Sequence, residues 1–97
     1  MMTAEFSILT TRHFDRTYGK LVRHHSQLPE RYKEIVSILQ TDPYNRTRSH
    51  HIKKLEGIPP GDGQYRIRAG RFRFRYDIQG SIVYLNGCAL RREDIYG

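Results

Sequence analysis

The stretch that most constrains this chain is Gln64 to Tyr76, QYRIRAGRFRFRY, in which arginine and apolar residues alternate on both sides of a glycine. A period of two belongs to a strand. It sends Tyr65, Ile67, Phe72, Phe74 and Tyr76 to one face of a sheet and Arg66, Arg68, Arg71, Arg73 and Arg75 to the other. With Ala69-Gly70 as a two-residue turn, Arg68 faces Arg71, Arg66 faces Arg73 and Gln64 faces Arg75, while Ile67 meets Phe72 and Tyr65 meets Phe74. Like charges directly opposite one another destabilise a hairpin. A face meant only for solvent more usually mixes Lys, Glu and Thr, so the sequence points to a polyanion on this one.

Charge supports that reading. The 97 residues carry 17 Lys and Arg against 10 Asp and Glu, a formal net charge of +7, which favours nucleic acid or an acidic protein as partner. The length suits one domain over residues 1–97. The lone Cys88 forms no internal disulfide and reads as a small buried residue in an apolar strand. No apolar run reaches spanning length and no secretory pattern opens the chain, so the expectation is a soluble, cytoplasmic protein without membrane contact.

The remainder supplies partners for the hairpin. Residues 5–9 read as a short first strand closed by Thr10-Thr11, a capping pair. From residue 11 to about 25, Phe14, Tyr18, Leu21 and Val22 form one helical stripe, weakened slightly by Gly19. Leu28-Pro29-Glu30 restarts a helix that carries Tyr32, Ile35, Val36, Ile38 and Leu39 until Asp42-Pro43 stops it. Residues 44–62 hold no sustained period and read as a long loop, a length that is often functional. Within it His50, His51, Lys53 and Lys54 combine titratable and basic groups around Ile52 and Leu55.

After the arginine hairpin, Gln79-Gly80 turns the chain into a strand over residues 81–90. Continued pairing sets Tyr76 against Val83, Phe74 against Leu85, Arg75 against Tyr84 and Arg73 against Asn86. Arg73 then stands at the centre of the basic face, between Arg66 and Asn86. The fold class is α+β: an N-terminal strand, a helical hairpin, then an antiparallel three-strand meander. His13, His24 and His25 lie on or beside the first helix with no carboxylate or cysteine at ligand spacing, so they read as solvent-facing rather than as metal ligands. No metal or cofactor is called for. Glu93 and Asp94, beside Arg91 and Arg92, read as ion-pair partners on the tail.

Four local features, in order, resemble the RelE/ParE superfamily of bacterial toxins. Lys54-Leu55-Glu56-Gly57 is similar to the family's K-L-x-G turn, and Tyr65-Arg66-Ile67-Arg68 to its Y-[KR]-[IV]-[KR] strand. The run from Gly70 to Tyr76 is similar to G-x-[YF]-R-[LV]-x-Y, and Arg91-Arg92-Glu93-Asp94-Ile95-Tyr96 to the R-[RK]-x-[DEV]-[IV]-Y ending. The likeness covers the C-terminal half closely and the N-terminal half only in pattern.

This resemblance implies a RelE-like fold and the toxin of a type II toxin-antitoxin system, held inactive by a cognate acidic antitoxin. In the RelE branch it implies a metal-independent endoribonuclease, an mRNA interferase that cuts in the ribosomal A site by attack of the 2′-hydroxyl on the adjacent phosphate. By position it implies Arg66, Arg68, Arg73, Arg92 and Tyr96 as catalytic residues, with Arg73 stabilising charge on the phosphate through its planar fork. Arg71, Arg75, Lys53, Lys54, Asn86 and Tyr84 are the accompanying RNA contacts. Some relatives have lysine where this chain has Arg66 and Arg68, and arginine makes no useful base. The base is then Tyr96, His50, His51, or a group of the ribosome or nucleotide. Two other readings stand beside this one: a ParE-like inhibitor of DNA gyrase, and a non-catalytic nucleic-acid-binding module.

Overall fold

In the computed structural model, which describes residues 5–91, the elements run β1 (Ser7–Thr10), α1 (Arg12–Val22), α2 (Leu28–Thr41), β2 (Ile52–Lys54), β3 (Tyr65–Ala69), β4 (Phe72–Gln79) and β5 (Ile82–Leu90). The Thr11 hydroxyl oxygen accepts from Phe14 N–H at 3.1 Å and starts α1, as a capping threonine should. The helix ends at Val22, short of the expected residue 25. Pro29 sits in the first turn of α2, where a missing N–H costs nothing, and Pro43 follows its Asp42 cap.

The strands form one five-stranded sheet in the order β1-β5-β4-β3-β2, with β1 parallel to β5 and the other pairs antiparallel. The three-strand meander is present as expected, with one addition. Ile52–Lys54, expected to lie in a long loop, pairs with β3 as an edge strand. Three residues are too few to show a period, so only the neighbouring strand reveals it.

Alternation holds, but register differs from expectation. Ala69 pairs with Phe72, so Gly70-Arg71 is the turn, and Arg68 faces Arg73 while Arg66 faces Arg75. Gly70 decides this. It takes φ +61°, and a Cβ there would lie 2.7 Å from Arg31 Nε, so the first central position of the turn belongs to glycine. Gly80-Ser81 is likewise the second turn, with Gln79 opposite Ile82. Between Arg75 and Tyr76 the β4–β5 ladder shifts: Tyr76 pairs with Leu85 but Arg75 with Gly87, leaving Asn86 as the extra residue of a bulge. The expected pair Arg73–Asn86 is therefore replaced by Arg73–Ala89.

Both helices pack on one sheet face. Phe14, Leu28, Ile35 and Leu39 bury themselves against Ile67, Phe72, Phe74, Tyr76, Val83 and Leu85. Phe14 lies 6.5 Å from Phe74 between ring centroids, and Tyr65 stacks on Tyr76 at 5.4 Å. The Tyr76 hydroxyl, fully buried, donates to Pro43 O at 2.7 Å, which removes the penalty of desolvating it. Burial pushes that phenol far above its ordinary range, with Tyr65 and Asp42 adding to the effect. No helix among the described residues is long and apolar enough to cross a membrane.

Candidate nucleic-acid interface

The face away from the helices carries two cross-strand rows. One runs Lys53, Arg66, Arg75 and Gly87 across β2, β3, β4 and β5; the other runs Arg68, Arg73 and Ala89 across β3, β4 and β5. Both arginine pairs set like charge against like charge. Among the described residues the ion pairs are Arg31 with Glu34 and His50 with Asp42, and neither touches these rows. Burial, followed by the charges of Arg73, Arg68 and Arg75, holds the Arg66 guanidinium below the ordinary arginine value. The Nε atoms of Arg66 and Arg73 are buried and hydrogen-bonded to nothing among the described residues. A buried donor without an acceptor is costly. The two lie on neighbouring strands in a cluster of like charge, which an anion on this face would relieve.

The place has a shape. Arg66, Arg73 and Arg75 line an open concavity of about 290 Å³ whose floor, over β5, is made of Gly87 and Ala89, and whose rim includes His13 from the first turn of α1. Gly87 gives the Arg75 stem its space. A Cβ at Gly87 would lie 3.1 Å from Arg75 Cβ.

Arg75 is bound differently from its neighbours. Its Nε donates to Gly63 O at 2.8 Å and its Nη2 to Asp62 O at 2.9 Å. Asp77, only 7% exposed, accepts from Gly63 N–H at 2.9 Å, Gln64 N–H at 3.0 Å and Asn86 Nδ2 at 2.6 Å. Asn86 Nδ2 also donates to Gly61 O at 3.1 Å. These contacts fasten the segment 61–64 to the end of the arginine face. Gly63, at φ +84°, passes so close that a Cβ would lie 2.8 Å from both Arg75 Cβ and Asn86 Oδ1.

Of the candidate residues, the structure gathers Arg66, Arg68, Arg73, Arg75 and Lys53 on one face, Lys53 at its edge. Asn86 sits in the bulge and Tyr84 beyond it, opposite Asp77 and Leu9. Two candidates are placed elsewhere. Lys54 pairs with Tyr65 on the helix side, its Nζ 5.7 Å from that ring, and Arg71 lies in the turn beside a concavity lined by His24 and His25. Arg92 and Tyr96 lie outside the described residues.

Of the candidate bases, His50 is turned away, its Nε2 3.6 Å from Asp42 Oδ2 at the end of α2. His51 offers its backbone carbonyl to Arg68 N–H at 3.0 Å. Sequence reading missed two residues: Asp77, which organises the loop, and His13, which joins the arginine concavity. Neither carried a signal, because both depend on where the turn and the bulge put neighbouring chain.

A strand, two helices and this mixed sheet are the RelE-like fold. Among solved structures the chain is similar to one from the archaeal RelE–RelB complex of Pyrococcus horikoshii OT3, with TM-score 0.69 and 20% identity over 92% of this chain and 98% of that one. It is similar also to a chain of the RelB–RelE antitoxin–toxin complex of Methanococcus jannaschii, with TM-score 0.62 and 24% identity over 91% and 94% of the two chains. A third likeness is to the YoeB dimer of Staphylococcus aureus, with TM-score 0.63 and 14% identity over 91% and 99%. No protein-family model and no curated protein matches the sequence. At these identities the likeness is one of fold.

Proposed function

We propose that this protein is the toxin of a type II toxin-antitoxin pair and an endoribonuclease that cleaves mRNA in the ribosomal A site without a metal ion. The observation that carries the reading is the open concavity of about 290 Å³ lined by Arg66, Arg73 and Arg75 on a sheet face where arginines stand opposite arginines. The fold it shares with chains of RelE–RelB complexes supports a cognate antitoxin as partner. An acidic segment laid over the arginine rows would neutralise and cover them.

The chemistry follows from the charge. As the 2′-oxygen attacks, negative charge grows on the non-bridging oxygens, and guanidinium donors aimed there stabilise the transition state more than the ground state. Arg73, at the middle of its row, is the stabiliser, with Arg66 and Arg68 beside it and Arg92 and Tyr96 completing the site from the tail. Lys53 holds the flanking backbone, and Tyr84 offers a stacking surface beyond the bulge. Arg75 and Asn86 act through the segment they fasten.

Brief induction in a bacterial host, with mRNA 5′ ends mapped by primer extension, tests this. Wild type is expected to produce new ends within coding regions and Arg73→Ala to produce none. Growth arrest without new ends overturns the nuclease, and a supercoiling assay then examines gyrase.

A further inference from the structure

Adjoining the arginine concavity is a second one of about 500 Å³, bounded by Thr11, Gly61, Asp62 and Asn86. His13, Arg75 and Gly87 line both and so mark the junction between them. A nucleotide strand occupying both hollows would meet His13, Arg75 and Gly87 on its way from one to the other.

The chemistry of the lining is lopsided. Guanidiniums donate but do not take protons at neutral pH. Leu55, Ala89 and Leu90 are inert, and burial pushes the Cys88 thiol up to about 12, so it keeps its proton. Among the described residues of the two linings, the Asp62 carboxylate and the His13 imidazole can take one, and imidazole is the better base near neutrality. His13 is exposed, and its backbone carbonyl, accepting from Thr17 Oγ1 at 2.8 Å, holds the first turn of α1.

Resting on the nuclease reading above, we propose that His13 is the general base of this site. It removes the proton from the 2′-hydroxyl of the nucleotide on the upstream side. The 2′-oxygen lone pair forms the new bond to phosphorus. The P–O5′ bond breaks with its electrons on O5′, which takes a proton from water, and the imidazolium returns its proton to solvent. The products are a 2′,3′-cyclic phosphate and a free 5′-hydroxyl. The charged and titratable groups around His13 are Arg66 from β3, Arg73 and Arg75 from β4, Cys88 from β5, Asp62 from the fastened segment, and Arg12 and Arg16 on its own helix.

Single-turnover cleavage of mRNA on purified ribosomes between pH 5 and 9 tests the proposal with wild type, His13→Ala, His13→Gln and Arg73→Ala. Loss of a general base is expected to slow His13→Ala by about 10²- to 10⁴-fold and to abolish the rise in rate with pH on the acid side. His13→Gln keeps a polar side chain without a base and behaves like the alanine variant. Arg73→Ala is slower at every pH but keeps the acid limb. Near-wild-type cleavage by either His13 variant, or an acid limb that survives in His13→Ala, overturns the assignment and leaves the nuclease standing. No cleavage by wild type overturns both. Should the His13 variants fail to fold, imidazole ¹⁵N shifts of the wild type during titration with a nucleoside 3′-monophosphate decide the placement. The His13 signals move if it borders the phosphate, and unmoved signals overturn the proposal.

Discussion

The two faces of the sheet share the same strands and differ in how completely their groups are satisfied. On the helix side the rings interlock, and the hydroxyl of Tyr76, brought fully inside, finds the Pro43 carbonyl. On the other side Arg66 and Arg73 hide Nε donors that meet no acceptor among the described residues, and Arg66 and Arg68 stand opposite Arg75 and Arg73. The first face lowers the free energy of the fold. The second raises it, and a structure keeps such a cost where another molecule removes it. Even within the second face there is a division, since Arg75 is fastened to residues 62 and 63 while Arg73 is left available.

Substitutions on either side should separate these roles. Phe74→Ala, on the helix side, is expected to lose about 3–5 kcal/mol in urea denaturation through the cavity it leaves. Its neighbour Arg73→Ala is expected to lower cleavage by about two to three orders of magnitude, as for removal of one oxyanion donor, with folding stability unchanged or higher. A large stability loss there would break the comparison, because it would make Arg73 a structural residue.

Asp77→Ala removes the acceptor for two amides and an amide side chain. About 1.5–3 kcal/mol of local stability should go, read as faster hydrogen exchange at Gly63 and Gln64 with the core amides still protected. Tyr76→Phe leaves the Pro43 carbonyl buried without a donor, and a loss of about 1–3 kcal/mol in the same denaturation assay is expected, with cleavage by the remaining folded protein intact. If Tyr76→Phe instead impaired cleavage while folding normally, the division between faces would be too simple.

How legible this was depended on which property was being read. Alternation assigned Arg66, Arg68, Arg73 and Arg75 to one face correctly, and it did so although the turn was placed one residue early. A displacement of two in pairing leaves every side chain on its own face. Partners are more sensitive. Arg73 was expected between Arg66 and Asn86 and lies between Arg68 and Ala89, because Gly70 turns the chain where a Cβ would strike Arg31 and because the bulge discards Asn86 from the ladder. The strand at Ile52–Lys54 was too short to announce itself, and its pairing sent Lys53 and Lys54 to opposite faces.

The sequence by itself determined the class of fold, the existence of a cationic face and the identity of its arginines, since these follow from local periodicity and from charge. Only the tertiary structure decided which arginine is tied to the loop, which keep an Nε buried without a partner among the described residues, and that His13 lines the same concavity. Those outcomes depend on contacts between residues far apart in the chain, such as Arg75 with Gly63 and Asn86 with Gly61. Local pattern carries no information about such distances. They are settled when two helices close on one face of a sheet whose register a glycine and a bulge have already set.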